Sequence, residues 1–245
     1  MKKLGLHFLS ILVMMACLAG CAPKGETLVI TSVPWSEDET ATYSIQTQAG
    51  ETLGSATISI IQDGDTWVLT DHEVVNNSPD DIKLTVSADN LKPLAEERTL
   101  VIPAGGSIPE GTWKINATFS EDKLTVEADT PQGHQGPAEV KLPEDAFAND
   151  EVLFLLLRAL PFAEGYSAHF IDVILWPNVQ MPRLTITVIG KETIEVPAGS
   201  FEAWKVEVSV AGSKQQFWYA IEKPNLLVKY DNGSTIFLLE EAGNL

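Results

Sequence analysis

Cys21 is the residue of this sequence whose type and position indicate the most specific chemistry. It directly follows Leu18-Ala19-Gly20, which ends an N-terminal stretch of small and apolar residues. That stretch begins with Met1-Lys2-Lys3 and continues as a short apolar run. A charged start, a short apolar run and small residues before a cleavage point are typical of a secretory signal peptide. We therefore predict that residues 1–20 are a cleaved signal peptide.

The cysteine after Leu18-Ala19-Gly20 resembles the lipobox of bacterial lipoproteins. In that class of protein, cleavage falls before the cysteine, its sulfur is diacylated and the new amine is often acylated too. The resemblance implies that Cys21 is the lipid attachment site. It also implies a location in the cell envelope, on the extracytoplasmic side of a bacterial membrane. A transmembrane anchor is the alternative, but the apolar run is shorter than the ~20 residues that a spanning helix needs.

The other residues with catalytic or ligating chemistry form no recognisable site. His72, His134 and His169 show none of the spacings typical of metal ligands. Ser200 follows Pro-Ala-Gly, but it lies in no Gly-x-Ser-x-Gly nucleophile elbow. No spacing selects an acid pair from the 34 Asp and Glu residues. We therefore predict no catalytic residues, no metal site and no cofactor, and a protein that is not an enzyme.

The excess of acidic residues in the chain argues against partners that carry negative charge. The predicted signal peptide contains two lysines and no acid, so the rest of the chain has 14 Lys and Arg against 34 Asp and Glu. Nucleic-acid binding requires basic residues that neutralise phosphates, and anionic lipid headgroups also attract basic surfaces. We therefore expect no nucleic acid as a partner, and membrane contact only through the lipid on Cys21.

Large aromatic side chains are spread through the predicted strands. Aromatic residues dominate the burial of hydrophobic cores, which is the simpler interpretation. A curved sheet that lines a cavity for an apolar ligand is the alternative. The sequence does not distinguish a core from a pocket wall. Either interpretation applies to Trp67, Trp113, Phe170, Trp204, Trp218 and Tyr219.

Apolar and polar residues alternate with a period of two along most of the chain from Thr40 onward. Asp63-Gly64-Asp65, between two such runs, favours a hairpin turn. About a dozen short strands at this spacing are typical of a barrel or a sandwich. We predict a lipidated tether over residues 21–39 and a single β-rich domain over residues 40–245. An edge strand at the apolar patch Leu28-Val29-Ile30, with a correspondingly shorter tether, is the alternative.

Residues 149–160 break the strand pattern. Strong helix formers dominate this segment, Asn149 or Asp150 can cap it, and Pro161 can end it. Because the segment is apolar nearly all round, we expect a buried helix. A central strand is the alternative, since short apolar runs discriminate poorly. The combined prediction is a mainly β fold, in which a curled antiparallel sheet, either a β-barrel or a half-barrel, encloses one apolar helix.

Several segments are similar to an exported family of unknown function, the domain of unknown function 3108 type. The segments that carry the resemblance are Glu192–Val206 with its Val-Pro-Ala-Gly-Ser-Phe turn, Phe217–Ala220, Leu226–Tyr230, and Leu156–Phe162 followed by Gly165. Ser200 stands where the family more often has Thr. The resemblance covers roughly residues 40–240. It implies an antiparallel β-barrel or half-barrel similar to the periplasmic lipoprotein carriers, without known catalytic residues.

Together these observations predict a membrane-anchored lipoprotein that is not an enzyme and that binds an apolar ligand or another envelope component. A structural or assembly factor of the envelope, which acts through protein contacts, is the alternative. A third hypothesis is an extracellular hydrolase with an unrecognised acid pair.

Overall fold

The structure is a computed structural model that describes residues 25–148 and 153–243. The predicted signal peptide and Cys21 lie outside the described residues. The strands are β1 (Glu26–Thr27), β2 (Glu39–Thr47), β3 (Thr52–Asp63), β4 (Thr66–Val75), β5 (Ser78–Ser87), β6 (Pro93–Ile102), β7 (Gly111–Phe119), β8 (Lys123–Thr130), β9 (Gly133–Lys141), β10 (Ala146–Ala148), β11 (Ser167–Val173), β12 (Arg183–Val196), β13 (Gly199–Val210), β14 (Ser213–Ala220), β15 (Leu227–Asp231) and β16 (Thr235–Gly243). Helix α1 (Leu153–Leu156) continues into a 3₁₀ turn (Leu157–Ala159).

Alternation of buried and less buried side chains accounts for most of the strands. In β2, Ala41, Tyr43 and Ile45 are buried, whereas Thr42 and Ser44 between them are half-buried. The prediction of a mainly β fold is confirmed, with sixteen strands instead of about a dozen. The additional strands include β9, which shows no alternation because nearly all its side chains are exposed. A polar strand of this kind gives no periodic signal in a sequence.

All sixteen strands belong to one sheet. The order of neighbours is β1-β11-β12-β13-β14-β15-β16-β2-β3-β4-β5-β6-β7-β8-β9, and β10 also pairs with β11. The pairings are antiparallel except that β1 and β10 run parallel to β11. Within the described chain, β1 and β9 end the path without pairing to each other. The sheet is therefore open, which corresponds to the half-barrel of the prediction and not to a closed barrel.

The sheet curls around its hydrophobic core. Strands β5 and β11 are nine positions apart in the strand order. In a flat sheet that separation would be about 40 Å, because neighbouring strands lie ~4.8 Å apart. Yet Leu84 of β5 and Phe170 of β11 belong to the same core cluster. The opposite face of β11 contributes Ile171 and Val173 to a second cluster with Leu124 of β8, so β11 lies between the two cores.

Helix α1 and the following 3₁₀ turn fill the concave side of the sheet. Leu153 to Leu157 are all buried. The ring of Phe154 lies 5.9, 4.8 and 5.7 Å from the rings of Phe217, Tyr230 and Phe237, measured between centroids. In the described part of the chain, no helix has both the length and the apolar character required to traverse a bilayer.

The prediction of a buried apolar helix is confirmed, but the helical segment is shorter than residues 149–160. Its described part covers residues 153–159, and residues 149–152 lie outside the described residues. Leu160 already has an extended backbone. A proline disfavours helical geometry in the residue before it, so Pro161 ends the turn one residue earlier than predicted.

The structure corrects the predicted tether. Glu26 and Thr27 pair with β11, and the apolar residues that follow are buried in the first core: Leu28, Ile30 and Trp35. Residues 26–39, here called the N-terminal segment, therefore belong to the folded body. From the sequence, the apolar patch Leu28-Val29-Ile30 left an edge strand open as the alternative, although its Pro, Gly and acidic neighbours are typical of a linker. The prediction of a single domain stays a prediction.

An extension of the β12–β13 hairpin covers one end of the core. We call residues 190–202 the β12–β13 arm. Its pairing register shifts between Val188 and Gly190, and such a bulge bends a strand. At its tip, the amide of Ala198 donates a hydrogen bond to the carbonyl of Leu239 in β16 at 3.0 Å. The arm packs on the first core through Ile194, Val196 and Phe201.

Candidate functional site

The structure does not bring the six predicted aromatic residues together in one pocket wall. Trp67, Phe170, Trp218 and Tyr219 are buried in the first core, Trp204 packs against that core, and Trp113 packs against the second core. Trp204 stacks on Phe162, whereas Trp113 meets Trp176 edge to face. These side chains are therefore divided between the two cores.

The concave side of the sheet contains protein side chains where the apolar-ligand hypothesis requires a cavity. Tyr219 Oη donates a hydrogen bond to the carbonyl of Phe154 at 2.9 Å, and Tyr43 Oη donates to that of Leu227 at 3.0 Å. The space left beside Tyr43 and Phe154 has a volume of about 10 Å³. That volume is close to the minimum for one water molecule. This geometry does not support a ligand between α1 and the sheet.

Burial of Tyr43 and Tyr219 predicts a loss of stability at alkaline pH. Desolvation raises the pKa of both phenols, although the nearby Arg158 opposes part of the effect. In the unfolded chain they titrate at about pH 10. Above that pH, and up to the folded pKa values, the native state binds more protons than the unfolded state. We therefore expect the free energy of unfolding to fall as the pH rises through this range.

Ultraviolet titration of tyrosinate in the full chain, native and in denaturant, measures this effect. We expect the native protein to ionise fewer than its four tyrosines until it unfolds. Tyr219→Phe should reduce the decrease in stability, because it removes one of the phenol protons that the folded chain retains above pH ~10. Full ionisation of all four tyrosines near pH ~10 in the folded protein would contradict the prediction.

A surface cleft of about 660 Å³ lies where the N-terminal segment, the β12–β13 arm and the β14–β15 loop (residues 221–226) meet. We call it the end cleft. Its volume is within the range of about 300–1,000 Å³ that is usual for ligand sites. Its apolar lining consists of Pro34, Trp35, Phe201, Ala220, Pro224 and Leu226. Its charged lining consists of Glu37, Glu39, Glu202, Glu222 and Lys223.

A buried guanidinium joins the elements around the end cleft. Arg158 lies in the 3₁₀ turn, and its side chain is 2% exposed, against 10% for Glu39. Its Nη2 donates to Glu39 Oε2 at 2.6 Å, and its Nε and Nη2 donate to the carbonyl of Pro224 at 3.2 and 2.8 Å. The guanidinium carbon lies 5.0 Å from the ring centroid of Trp35. Arg158 thus fixes the N-terminal segment and the β14–β15 loop against the helix.

The lining of the end cleft suits binding better than covalent catalysis. Ser200, the serine singled out in the sequence, lies in this lining. Among the described residues, no histidine lines the cleft that could serve Ser200 as a general base. Glu202 accepts a hydrogen bond from Thr193 Oγ1, and Glu39 is occupied by Arg158. The arrangement offers apolar walls together with negative charge.

A second polar region lies on the inward face of β4, β5 and β6. Arg98 donates from Nε and Nη2 to the two carboxylate oxygens of Asp80, at 3.0 and 2.6 Å. Asp71 and Arg98 flank Ile82 across the strands, and Glu96 is also buried. Within residues 25–148 and 153–243, no group of three or more His, Cys, Asp or Glu side chains is arranged to hold a metal ion.

The sequence analysis did not identify the end cleft. One signal was present, because Arg158 is the only charged residue between Val152 and Ala163. A charged residue in such an apolar segment is seldom buried unless it is paired. Its partner Glu39 is 119 positions away in the sequence. No local pattern could therefore connect the two residues.

Comparison with known protein families now identifies the chain. The family model described as a protein of unknown function, DUF3108, matches residues 109–237, more than half of the 245 residues. The chain belongs to the DUF3108 family. This confirms the resemblance, although the DUF3108 match begins later than the roughly residues 40–240 inferred from the sequence. The β12–β13 arm, Arg158 and Pro224 lie within the DUF3108 match, whereas Glu39 precedes it.

Two solved structures are similar to this DUF3108 chain. One is a candidate exported protein with a YmcC-like fold from Bacteroides fragilis, with 12% identity and a TM-score of 0.33, covering 88% of this chain and 100% of that one. The other is a candidate lipoprotein from Parabacteroides distasonis, with 9% identity and a TM-score of 0.30, covering 87% and 99%. Similarity at this level does not establish a shared function. No curated protein matches the chain.

Proposed function

We propose that this DUF3108 protein is a lipid-anchored protein of the bacterial cell envelope that has no enzymatic activity and binds another envelope protein in its end cleft. The observation on which the proposal depends is the difference in free volume between the interior and the surface. Among the described residues, the space beside Tyr43 and Phe154 is only about 10 Å³, whereas the end cleft provides about 660 Å³ at the surface. This contrast favours protein contacts at the surface over transport of an apolar ligand inside the sheet.

The position of β1 determines how close to the membrane an anchored body would lie. Glu26 is already paired with β11, five residues after Cys21. An extended chain covers at most ~3.6 Å per residue, so the lipid on Cys21 would keep this part of the body within about 18 Å of the bilayer. The excess of acidic residues gives the body no electrostatic attraction to anionic headgroups. The lipid would then be its main membrane contact.

Replacing the anchoring cysteine tests the location. We expect the Cys21→Ser variant to lose labelling by radioactive palmitate and to leave the membrane fraction. Cys17→Ser is the matched control, because Cys17 lies within the predicted signal peptide, and it should label like the wild type. Equal labelling of wild type and the Cys21→Ser variant would contradict lipid anchoring at this residue.

Filling the end cleft tests the binding role. Ser200 is exposed at the start of β13, so a Ser200→Trp variant places a large side chain in the cleft without disturbing the core. Cells that express the full chain are treated with a chemical crosslinker, and the protein is then captured. The control variant is Glu110→Gln, at an exposed residue that does not line the cleft. We expect a partner that is captured with the wild type and with Glu110→Gln, but not with Ser200→Trp. Equal capture by the Ser200→Trp variant would contradict the proposal.

A further inference from the structure

We infer that the end cleft accepts a short segment of a partner protein in which Lys or Arg residues lie beside apolar residues. This inference rests on the proposed function and specifies the chemistry of the ligand. It is based on two properties of the cleft. The apolar wall indicates the apolar residues of the segment, and the carboxylates at the edge of the cleft indicate its Lys or Arg residues.

The apolar wall explains why the occupant must carry apolar groups. The apolar surface that water reaches in the cleft comes from Pro34, Phe201 and Pro224, which are half-buried. Trp35 and Leu226 also line the cleft, but they are almost fully buried in the first core and add little exposed area. Association gains free energy in proportion to the apolar area removed from water. A fully hydrophilic cation would leave these walls wet and would gain nothing from them.

The charges at the cleft come from every element around it. The N-terminal segment contributes Glu37 and Glu39, the arm contributes Glu202, the β14–β15 loop contributes Glu222 and Lys223, and Arg158 lies beneath. Four carboxylates therefore face two cationic groups, one of which is already bound to Glu39. Glu37 and Glu222 are exposed, and neither forms an ion pair with another described residue. These two carboxylates are available to a cationic side chain of a partner.

Ion pairs at the edge of the cleft contribute only a small part of the affinity for a partner. An exposed ion pair contributes about 0.2–1 kcal/mol. Two such pairs together contribute about 0.4–2 kcal/mol, which changes an affinity by about twofold to thirtyfold, since tenfold corresponds to 1.4 kcal/mol. Affinity must therefore come from the apolar wall, while charge selects the partner and steers its approach. The excess of acidic residues over the whole chain acts in the same direction.

The experiment uses the full chain in a nonionic detergent and a fluorescent peptide, acetyl-Lys-Leu-Lys-Phe-Lys amide. Binding is followed by fluorescence anisotropy. A neutral peptide with Gln in place of each Lys tests the charge, and spermidine, which has charge without apolar side chains, is the competitor. Glu37→Gln/Glu222→Gln removes two carboxylates from the cleft. Glu110→Gln/Glu121→Gln removes two exposed carboxylates elsewhere and is the matched control.

We expect the cleft double variant to bind the cationic peptide about tenfold more weakly and the control variant to stay within about twofold of the wild type. The Ser200→Trp variant should lose binding. The neutral peptide should bind the wild type no more tightly than the cationic peptide binds the cleft double variant.

Each other outcome overturns a defined part of the argument. If the neutral peptide binds the wild type as tightly as the cationic peptide does, and the Ser200→Trp variant still loses this binding, the cleft is the site but the segment need not be cationic. That result would refute a cationic segment. Displacement by spermidine as effective as displacement by the unlabelled peptide would assign binding to charge alone and refute a peptide segment. Undiminished binding to the Ser200→Trp variant would refute the cleft, and with it the proposed function. Absence of binding by both peptides would refute the inference.

Discussion

The Arg158→Met variant should lose about 3–5 kcal/mol of unfolding free energy, the range found when one partner of a buried ion pair is removed. The substitution leaves the carboxylate of Glu39 at a site where it is 10% exposed and has lost its guanidinium. It also removes both hydrogen bonds to the carbonyl of Pro224. Most of this loss of unfolding free energy arises because buried polar groups are left without partners, and less of it arises because the attraction between the two charges is lost.

A double-mutant cycle separates these contributions. Removing both charges, as in Arg158→Met/Glu39→Met, should be less destabilising than Arg158→Met alone, because apolar replacement of a whole buried pair is often neutral. Urea unfolding of the full chain, followed by circular dichroism, measures Arg158→Met, Glu39→Met and the double variant. A loss below about 1 kcal/mol for Arg158→Met is typical of an exposed ion pair. That result would contradict a fixed N-terminal segment, and the end cleft would lose one of its walls.

The second large effect concerns the helix that fills the sheet. Phe154→Ala should cost about 3–5 kcal/mol of unfolding free energy, as large-to-small substitutions in packed cores do. The ring of Phe154 contacts three other aromatic rings, which cannot collapse fully into the space that it leaves.

The same variant distinguishes a filled interior from a cavity. Phe162→Ala removes the same atoms from a half-buried position that stacks on Trp204, so it is the matched control and should cost less. Urea unfolding measures both variants. Similar small losses would indicate that the interior around Phe154 is loosely packed. The hypothesis of an apolar ligand inside the sheet would then regain support.

Local patterns predicted most of the fold. The alternation in β2 and the Asp63-Gly64-Asp65 turn after β3 depend only on neighbours in the sequence, and both are present in the structure. The apolar composition around Leu155 likewise predicted a buried helix. Features without a local pattern were missed, such as the exposed edge strand β9. Strand β11, buried on both faces at its end, also lacked the alternation that marks a half-buried strand.

The end cleft could not be predicted because it depends on contacts between distant residues. Arg158 meets Glu39 and Pro224, which lie 119 and 66 positions away. Trp35 was assigned to the tether because its neighbours Pro34 and Ser36 suit a loop. The aromatic residues that were predicted, among them Trp67 and Phe170, became core residues.

Site-specific photocrosslinking in living cells tests the central claim most directly. The photoreactive residue p-benzoylphenylalanine replaces Lys223, which lines the end cleft, or Lys114, which is exposed on β7. Neither replacement removes a carboxylate. If the end cleft binds an envelope protein, light produces one discrete protein adduct in the membrane fraction from position 223, which disappears when Ser200→Trp is added, and none from position 114. Absence of an adduct from position 223, or the same adduct from both positions, would contradict the claim.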